Sequence, residues 1–282
     1  MRSFRGKKAL ITGAGSGIGR AIAMALAKEG TSLWLLDIDE AALSSTAREA
    51  ERHGVDVVTS VCDLADPEQI TTVVDSVRST WGDLNILVNS AGIIHYGPMH
   101  LLTGDQWQRI ISVNLLAPIQ LIRGLLTTLA AQDDAHIVNI CSMFGLFPFR
   151  KLIAYQTSKY GLVGFTLALR GEYQRFDFGV TAVCPGLVQT PLINHIERSE
   201  PKKPPLVLPI FLCTSADKVA ARTLIAMRKN KGLVLIAPAA KIAWWLMRLS
   251  PGLVDWLNRE GWRVRGKSTP SDNSAASKSQ AS

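Results

Sequence analysis

Residues 8–23 read KALITGAGSGIGRAIA, and this stretch decides the architecture. An apolar run ends at Thr12, an Ala- and Ile-rich run of helical period begins at Ile18, and Gly13, Gly17 and Gly19 stand at the joint. Without Cβ atoms the joint lets backbone approach another group closely, and the N–H groups and dipole of a helix start favour an anion there. Strand, glycine-rich turn and helix in that order form a cradle for a dinucleotide pyrophosphate. Glycine-rich turns alone are common, so the flanking strand and helix carry the inference.

The same alternation runs outward. Short apolar runs SLWLLDID (32–39), DVVTSVCD (56–63), LNILVNSAG (84–92), HIVNICS (136–142), GVTAVCPG (179–186) and GLVLIAP (232–238) follow the first strand. Between them lie helical segments near 40–52, 67–80, 106–130 and 154–175. Strands of continuous Val, Ile and Leu belong to a sheet covered by helices on both faces, so an α/β fold with a doubly wound, mostly parallel sheet is expected. Residues 1–240 are expected to form one domain. Within it, five prolines in 190–218 exclude a single helix and predict a loop-rich lid. Residues 241–265 are expected to form an amphipathic helical extension, and the Ser-rich 266–282 a disordered tail.

With 47% hydrophobic and 19% charged residues in 282, the composition is that of a globular protein with a sizeable core. The formal charge of +8 is spread along the chain and partly at its ends, without a basic stripe interleaved with aromatics, which argues against a nucleic-acid partner. Cys62, Cys141, Cys184 and Cys213 form no CxxC pair, and no secretory h-region precedes the first strand, so a reducing cytoplasmic compartment is expected. The five histidines show no metal-binding spacing, and no metal is expected.

Asp37 ends the second apolar run, eighteen residues beyond Gly19, where a carboxylate can accept both hydroxyls of an adenosine ribose. It would repel a 2′-phosphate, and no Arg or Lys stands at Ala14, Ser16 or Ile38 to hold one, which favours NAD over NADP. The alternative is that Asp37 merely caps the next helix.

Tyr155 and Lys159, four residues apart in AYQTSKYGL, share a helix face thirteen residues beyond Ser142. Such a pair also occurs by chance on solvated helices. The order of the surrounding motifs settles the matter, because the chain resembles the short-chain dehydrogenase/reductase superfamily in its single-domain Rossmann form. The matching pieces are TGAGSGIG (12–19), CDL with Asp63, NSAG (89–92), Asn114 in SVNLLAP, Ser142, YQTSK (155–159) and PGLVQT (185–190), covering nearly all of residues 7–240. Ser90 departs from the family, which usually has Asn there.

The resemblance implies a catalytic set of Asn114, Ser142, Tyr155 and Lys159, with Tyr155 as acid/base, Ser142 as donor to the substrate oxygen and Asn114 holding a water chain to Lys159. It places Thr12, Gly13, Ser16, Gly17, Ile18 and Gly19 along the phosphates, Asp37 at the ribose, and Asp63 and Leu64 at the adenine. Asn89, Ala91 and Gly92 would pass the cofactor's middle; Tyr155, Lys159, Pro185, Gly186, Val188 and Thr190 would hold its nicotinamide end. A free phenol has a pKa near 10, and lowering it two units needs about 2.7 kcal/mol, which Lys159 and an oxidised nicotinamide are expected to supply.

Ser142, Phe144, Tyr155 and Leu192 are expected at the substrate. Met143, Leu146, Phe147, Phe149, His95, Tyr96, Ile193 and Phe211 are further wall candidates, and their character suggests a hydrophobic alcohol, ketone or aldehyde of steroid, retinoid or long-chain type. An NADP-dependent 3-oxoacyl or other carbonyl reductase is the alternative within enzymes; a nucleotide sensor without turnover is the alternative outside them. A homodimer or homotetramer is expected. Trp244, Trp245, Trp256 and Trp262 with Lys241, Arg248, Arg259, Arg263 and Arg265 suggest peripheral membrane association, packing at an oligomer interface, or cover over the active-site mouth.

Overall fold

The architecture is that of a computed structural model that describes residues 1, 3–173, 178–190, 192, 197–198 and 213–256. Seven parallel strands form one sheet: β1 (Lys8–Thr12), β2 (Ser32–Asp37), β3 (Val57–Val61), β4 (Ile86–Asn89), β6 (His136–Ile140), β7 (Gly179–Pro185) and β9 (Leu233–Ile236). Their order is β3-β2-β1-β4-β6-β7-β9. The chain builds outward from β1 in one direction and then returns to build from β4 in the other. The order reverses between β1 and β4, and a crevice opens at the carboxyl ends of strands at such a switch point.

Alternation along the strands sends side chains to two cores. Ile11, Leu33 and Leu35 pack on one face with Ile22 and Leu26 of α1 (Gly17–Lys28) and Leu224 and Met227 of α7 (Ala216–Arg228). Leu10, Trp34, Leu36 and Leu87 pack on the other with Val73 and Val77 of α3 (Pro67–Thr80) and Leu121 and Leu125 of α5 (Ala117–Ala130). All these side chains are buried. Fully burying each such aliphatic contributes roughly 1.5–3 kcal/mol, so the two layers hold the glycine-rich turn on a rigid frame.

α2 spans Glu40–Glu51, and its N-cap is Asp39, whose carboxylate accepts the Ala42 N–H. The capping duty considered for Asp37 therefore falls to its neighbour. The helix expected at 106–130 starts earlier. Thr103 and Gln106 form a capping box for α4 (Gly104–Ile111), and a π-helical turn, Ser112–Leu116, joins α4 to α5. α6 occupies Ile153–Tyr173.

Two features depart from the sequence reading. The loop read to residue 218 ends at Ser215, whose hydroxyl accepts the Lys218 N–H and caps α7, because the prolines stop at 209 and helix formers follow. Two-residue strands β5 (His95–Tyr96) and β8 (Glu197–Arg198) also pair in parallel, a ladder too short for any apolar pattern to reveal. Most of the expected lid, with Ile193 and Phe211, lies outside the described residues, as do 257–265 of the extension and all of 266–282. The chain divides into units Met1–Trp244 and Trp245–Ser282, four residues beyond the expected boundary, and the division falls within α8 (Pro238–Leu249). In the second unit Trp245, Leu249, Leu253 and Trp256 are exposed and Val254 is buried.

Candidate active site

A cleft of about 670 Å³ opens at the switch point. Its floor is the glycine-rich turn. Gly13 has φ +66°, and a Cβ there would lie 2.8 Å from the Ala91 Cα; a Cβ on Gly19 would lie 2.1 Å from the Gly13 carbonyl oxygen. Only hydrogen fits at either place, so the turn is drawn tight beneath the start of α1, and its N–H groups suit a pyrophosphate. Gly13, Ser16, Gly17, Ile18 and Gly19 all face the cleft. Thr12 does not. Its buried hydroxyl accepts the N–H groups of Ser90 and Ala91 at 3.0 and 3.1 Å, lashing the loop after β4 to the end of β1.

Toward β2 and β3 the cleft is acidic. Asp37 faces it, with one carboxylate oxygen accepting the Gly15 N–H at 2.8 Å and the other the Asp39 N–H at 3.1 Å. Asp63 and Leu64, after β3, line the same end with Ile38. Asn89 stands behind the wall: its Nδ2 donates to Asn139 Oδ1 at 2.8 Å, and its own buried Oδ1 has no partner. Asn139 in turn donates to Thr166 Oγ1 at 2.9 Å, which carries this polar ladder onto α6.

Toward β6 and β7 lie Ser142, Tyr155 and Lys159, all buried and all on the cleft wall, with Ala91 and Gly92 on the facing loop. Ser142 ends the extended stretch after β6 and caps the short 3-10 turn Met143–Gly145. Its oxygen accepts the Phe144 N–H at 3.1 Å, which leaves the hydroxyl proton for Tyr155. Lys159, one turn beyond Tyr155 on α6, donates from Nζ to the Ile140 carbonyl at 2.9 Å and lies 5.8 Å from the Tyr155 ring centre. Asn114 is fully buried in the π-helical turn. It clamps Ile93 through Oδ1 (2.8 Å from N) and Nδ2 (2.9 Å from O), and Nδ2 also donates to Ser158 at 3.1 Å. A Cβ on Gly92 would sit 3.2 Å from Asn114 Oδ1 and 3.5 Å from Lys159 Nζ, so these two groups approach one spot on the loop.

Burial dominates the electrostatics. It pushes the Tyr155 phenol up to about 12, against the lowering by the Ser142 hydrogen bond. It holds the Lys159 ammonium below its ordinary range, while the Cys141 and Cys184 thiols oppose that shift. The hydrogen bond to Cys141 and then burial raise Cys184 well above a normal thiol. The expected lowering of the phenol pKa does not arise from the protein's own groups, because desolvation of the anion outweighs the Ser142 hydrogen bond.

Pro185, the last residue of β7, and Gly186, Val188 and Thr190 after it complete the floor at this end. Phe144, Tyr96 and Leu192 line its outer wall. Phe149 instead faces a separate open groove with Met99, Ile153 and Tyr160, and its backbone N–H and C=O are both held by the Gln156 amide. Met143, Leu146, Phe147 and His95 also lie off the cleft surface. Sequence reasoning missed Arg109 and Val113, which do face it, and Ser158, which supports Asn114; Arg109 and Val113 lie beside and on a π turn that no local pattern displays, and Ser158 is met only because α6 packs against that turn.

Comparison with known proteins agrees with this fold. Residues 7–201 match the short chain dehydrogenase family, and the chain belongs to it. The SadH protein of Mycobacterium tuberculosis is 33% identical over 255 residues, covering 88% of this chain and 92% of its own. L-Sorbose reductase from Gluconobacter frateurii, solved with NADPH and L-sorbose, superposes with TM-score 0.74 at 27% identity, over 83% of this chain and 96% of that one. A short chain dehydrogenase/reductase from Burkholderia phymatum, solved with NAD, gives TM-score 0.76 at 26% identity, over 96% and 99%. The chain is an oxidoreductase by family, and these two solved structures hold nicotinamide dinucleotides.

Proposed function

We propose that the protein is an NAD(H)-dependent oxidoreductase that interconverts a hydrophobic alcohol and its ketone or aldehyde. The observation that carries this reading is the convergence of Ser142, Tyr155 and Lys159 on one end of a cleft whose centre is the Gly13–Gly19 cradle. When bound, a nicotinamide supplies hydride transfer. The chain's own residues handle the proton. The Ser142 hydroxyl, its lone pair engaged by Phe144, donates toward the substrate oxygen or the Tyr155 oxygen. Tyr155 gives or takes the proton at that oxygen, and Lys159 places a cationic ammonium beside the phenolate form.

NAD is favoured because Asp37, pinned by the Gly15 and Asp39 N–H groups, presents anionic charge where a 2′-phosphate would lie. Phe144, Tyr96 and Leu192 support an apolar substrate. Exposed Met99, Leu101, Leu116, Ile153, Tyr160 and Leu167 support self-association as a homodimer or homotetramer. Four free cysteines support a reducing compartment, and exposed Trp245 and Trp256 support contact with a membrane surface.

The test is a screen of steroid, retinoid and linear alcohols with NAD and NADP in parallel, run on the wild type and Tyr155→Phe. Turnover with NAD, lost by at least about 100-fold in the variant while NADH still binds, is the expected result. Equal turnover by the variant removes the acid/base assignment, and NADH binding without turnover of any substrate by the wild type favours a sensor.

A further inference from the structure

We propose that Cys141 and Cys184 form a modification site at the floor of the cleft: a dithiol that a small hydroperoxide entering by the cleft oxidises to a disulfide, and that bound coenzyme shields. The shielding rests on the dinucleotide reading above; the disulfide does not. Ile140 of β6 and Val183 of β7 are partners in the parallel ladder, and the Cys141 N–H donates to the Val183 carbonyl at 2.8 Å. Cys141 and Cys184 are the next residues along, so they stand side by side. Both are buried in one cluster with Leu162 and Val163 of α6. Neighbouring strands run about 4.8 Å apart, inside the roughly 4.4–6.8 Å of Cα separation that a disulfide spans.

The two thiols already share a hydrogen bond. That bond and burial keep the proton on Cys184, so Cys184 donates and the Cys141 sulfur accepts. Cys141 is also the member of the pair that faces the cleft. Lys159 is close enough for both thiols to oppose the lowering of its pKa, and its ammonium in return favours a thiolate. A cleft-facing sulfur beside a cation, with a second thiol bonded to it, is the arrangement of an attacking and a resolving cysteine. Thiols that merely fill a core need neither the cleft nor the ammonium. Cys62 is no rival partner for Cys141: it follows β3, four strand spacings from β6, or roughly 19 Å.

The Cys141 thiolate attacks one oxygen of the hydroperoxide; an S–O bond forms, the O–O bond breaks, and the leaving alkoxide or hydroxide takes up the proton that Cys141 gave away. The Cys184 sulfur then attacks the Cys141 sulfur and displaces hydroxide, which leaves as water with the Cys184 proton. Two thiols are oxidised to one disulfide and one hydroperoxide is reduced to an alcohol, or to water, and water. Ser142 follows Cys141, and Pro185 and Gly186 follow Cys184, so the crosslink forms directly beneath the catalytic end of the cleft.

The experiment treats full-length wild type, Cys184→Ala and Cys62→Ala/Cys213→Ala with hydrogen peroxide, with and without NADH, and reads free thiols and non-reduced peptide maps. Wild type and Cys62→Ala/Cys213→Ala are both expected to form a bond between the peptides of Cys141 and Cys184 that dithiothreitol reverses. Cys184→Ala is expected to stop at a Cys141 sulfenic acid, trapped as its dimedone adduct. NADH at about ten times its dissociation constant is expected to slow oxidation of the wild type roughly tenfold, as occupancy alone requires. Cys141 and Cys184 both remaining reduced, or a bond that joins any other pair, overturns the proposal. Unslowed oxidation in a wild type that binds NADH overturns the shielding and the cleft as the route. Failure of the wild type to bind NADH overturns the coenzyme reading instead, and the peptide map still decides the disulfide.

Discussion

The Thr12 hydroxyl accepts two backbone N–H groups, those of Ser90 and Ala91, at 3.0 and 3.1 Å, and so joins the ends of β1 and β4 at the point where the sheet reverses. Thr12→Val keeps the shape but leaves both donors unpaired at a part-buried site. A loss of about 2 kcal/mol is expected, equivalent to roughly 4–8 °C in melting temperature. Weaker NADH binding should accompany it, since Ala91 faces the cleft. Thermal melts and NADH titration check both; an unshifted melt would show that water replaces the hydroxyl.

Ser142 lowers the Tyr155 pKa, opposing the burial that lifts it to about 12. Removing the hydroxyl removes the opposition, so the phenol rises further and the phenolate fraction at any given pH falls. In Ser142→Ala the alkaline limb of alcohol oxidation should therefore shift to higher pH, together with a loss of turnover of about 10²-fold or more. A pH–rate profile of kcat decides; a limb in the wild-type position would mean that Ser142 does not reach the phenol during turnover.

His136 lies fully buried in β6. Its Nε2 lies 2.7 Å from Thr181 Oγ1, whose own proton goes to the Lys231 carbonyl at 2.7 Å, so the imidazole must be the donor. Nδ1 is left without a partner, and a Cβ on Gly179 would lie 2.0 Å from it. Burial, then the N-terminal ammonium and Arg170, lower the pKa to about 3. The folded-state value is below the unfolded value, so the stability from this neutral ring is complete above about pH 6.5 and declines as pH falls from there toward 3, by at most about 1.4 kcal/mol per unit. His136→Gln should flatten the dependence of melting temperature on pH between 6.5 and 4.5. The same slope in both proteins would assign acid sensitivity elsewhere.

Trp245, Leu249 and Trp256 are exposed in the second unit, and the sequence of 241–265 is rich in basic residues. Full-length protein is expected to sediment with phosphatidylglycerol vesicles and not with phosphatidylcholine vesicles, and less at high salt. The variant Trp245→Ser/Leu249→Ser/Trp256→Ser should cut that fraction several-fold. Equal sedimentation of the two proteins would discard the membrane contact.

Much of the fold was legible because its strands are buried on both faces and its turns are made by glycine. Continuous runs such as ALIT and ILVN announce a covered parallel sheet, and the glycines at 13 and 19 announce the close approaches that a Cβ forbids. The site was legible for a different reason: Ser142, Tyr155 and Lys159 gain their meaning from motif order along the chain. What stayed hidden depends on distance in sequence. Nothing near Asp63 indicates that a residue forty-six positions later will fork onto its carboxylate. Nothing near His95 indicates a two-rung ladder to Glu197, and the phenol's upward shift required knowing how deeply α6 is buried.

The π-helical turn at Ser112–Leu116 acts as a phase shifter. An α-helix rotates about 100° per residue, and a widened turn holds one residue more than the straight helix would. That surplus residue lets one unbroken rod aim Arg109 at the coenzyme cleft, Asn114 at Ile93, and Leu121 and Leu125 at the core. Excising a single residue there would mend the hydrogen-bond ladder and yet turn the two halves out of step, so the irregular helix is the one in which every side chain faces its partner.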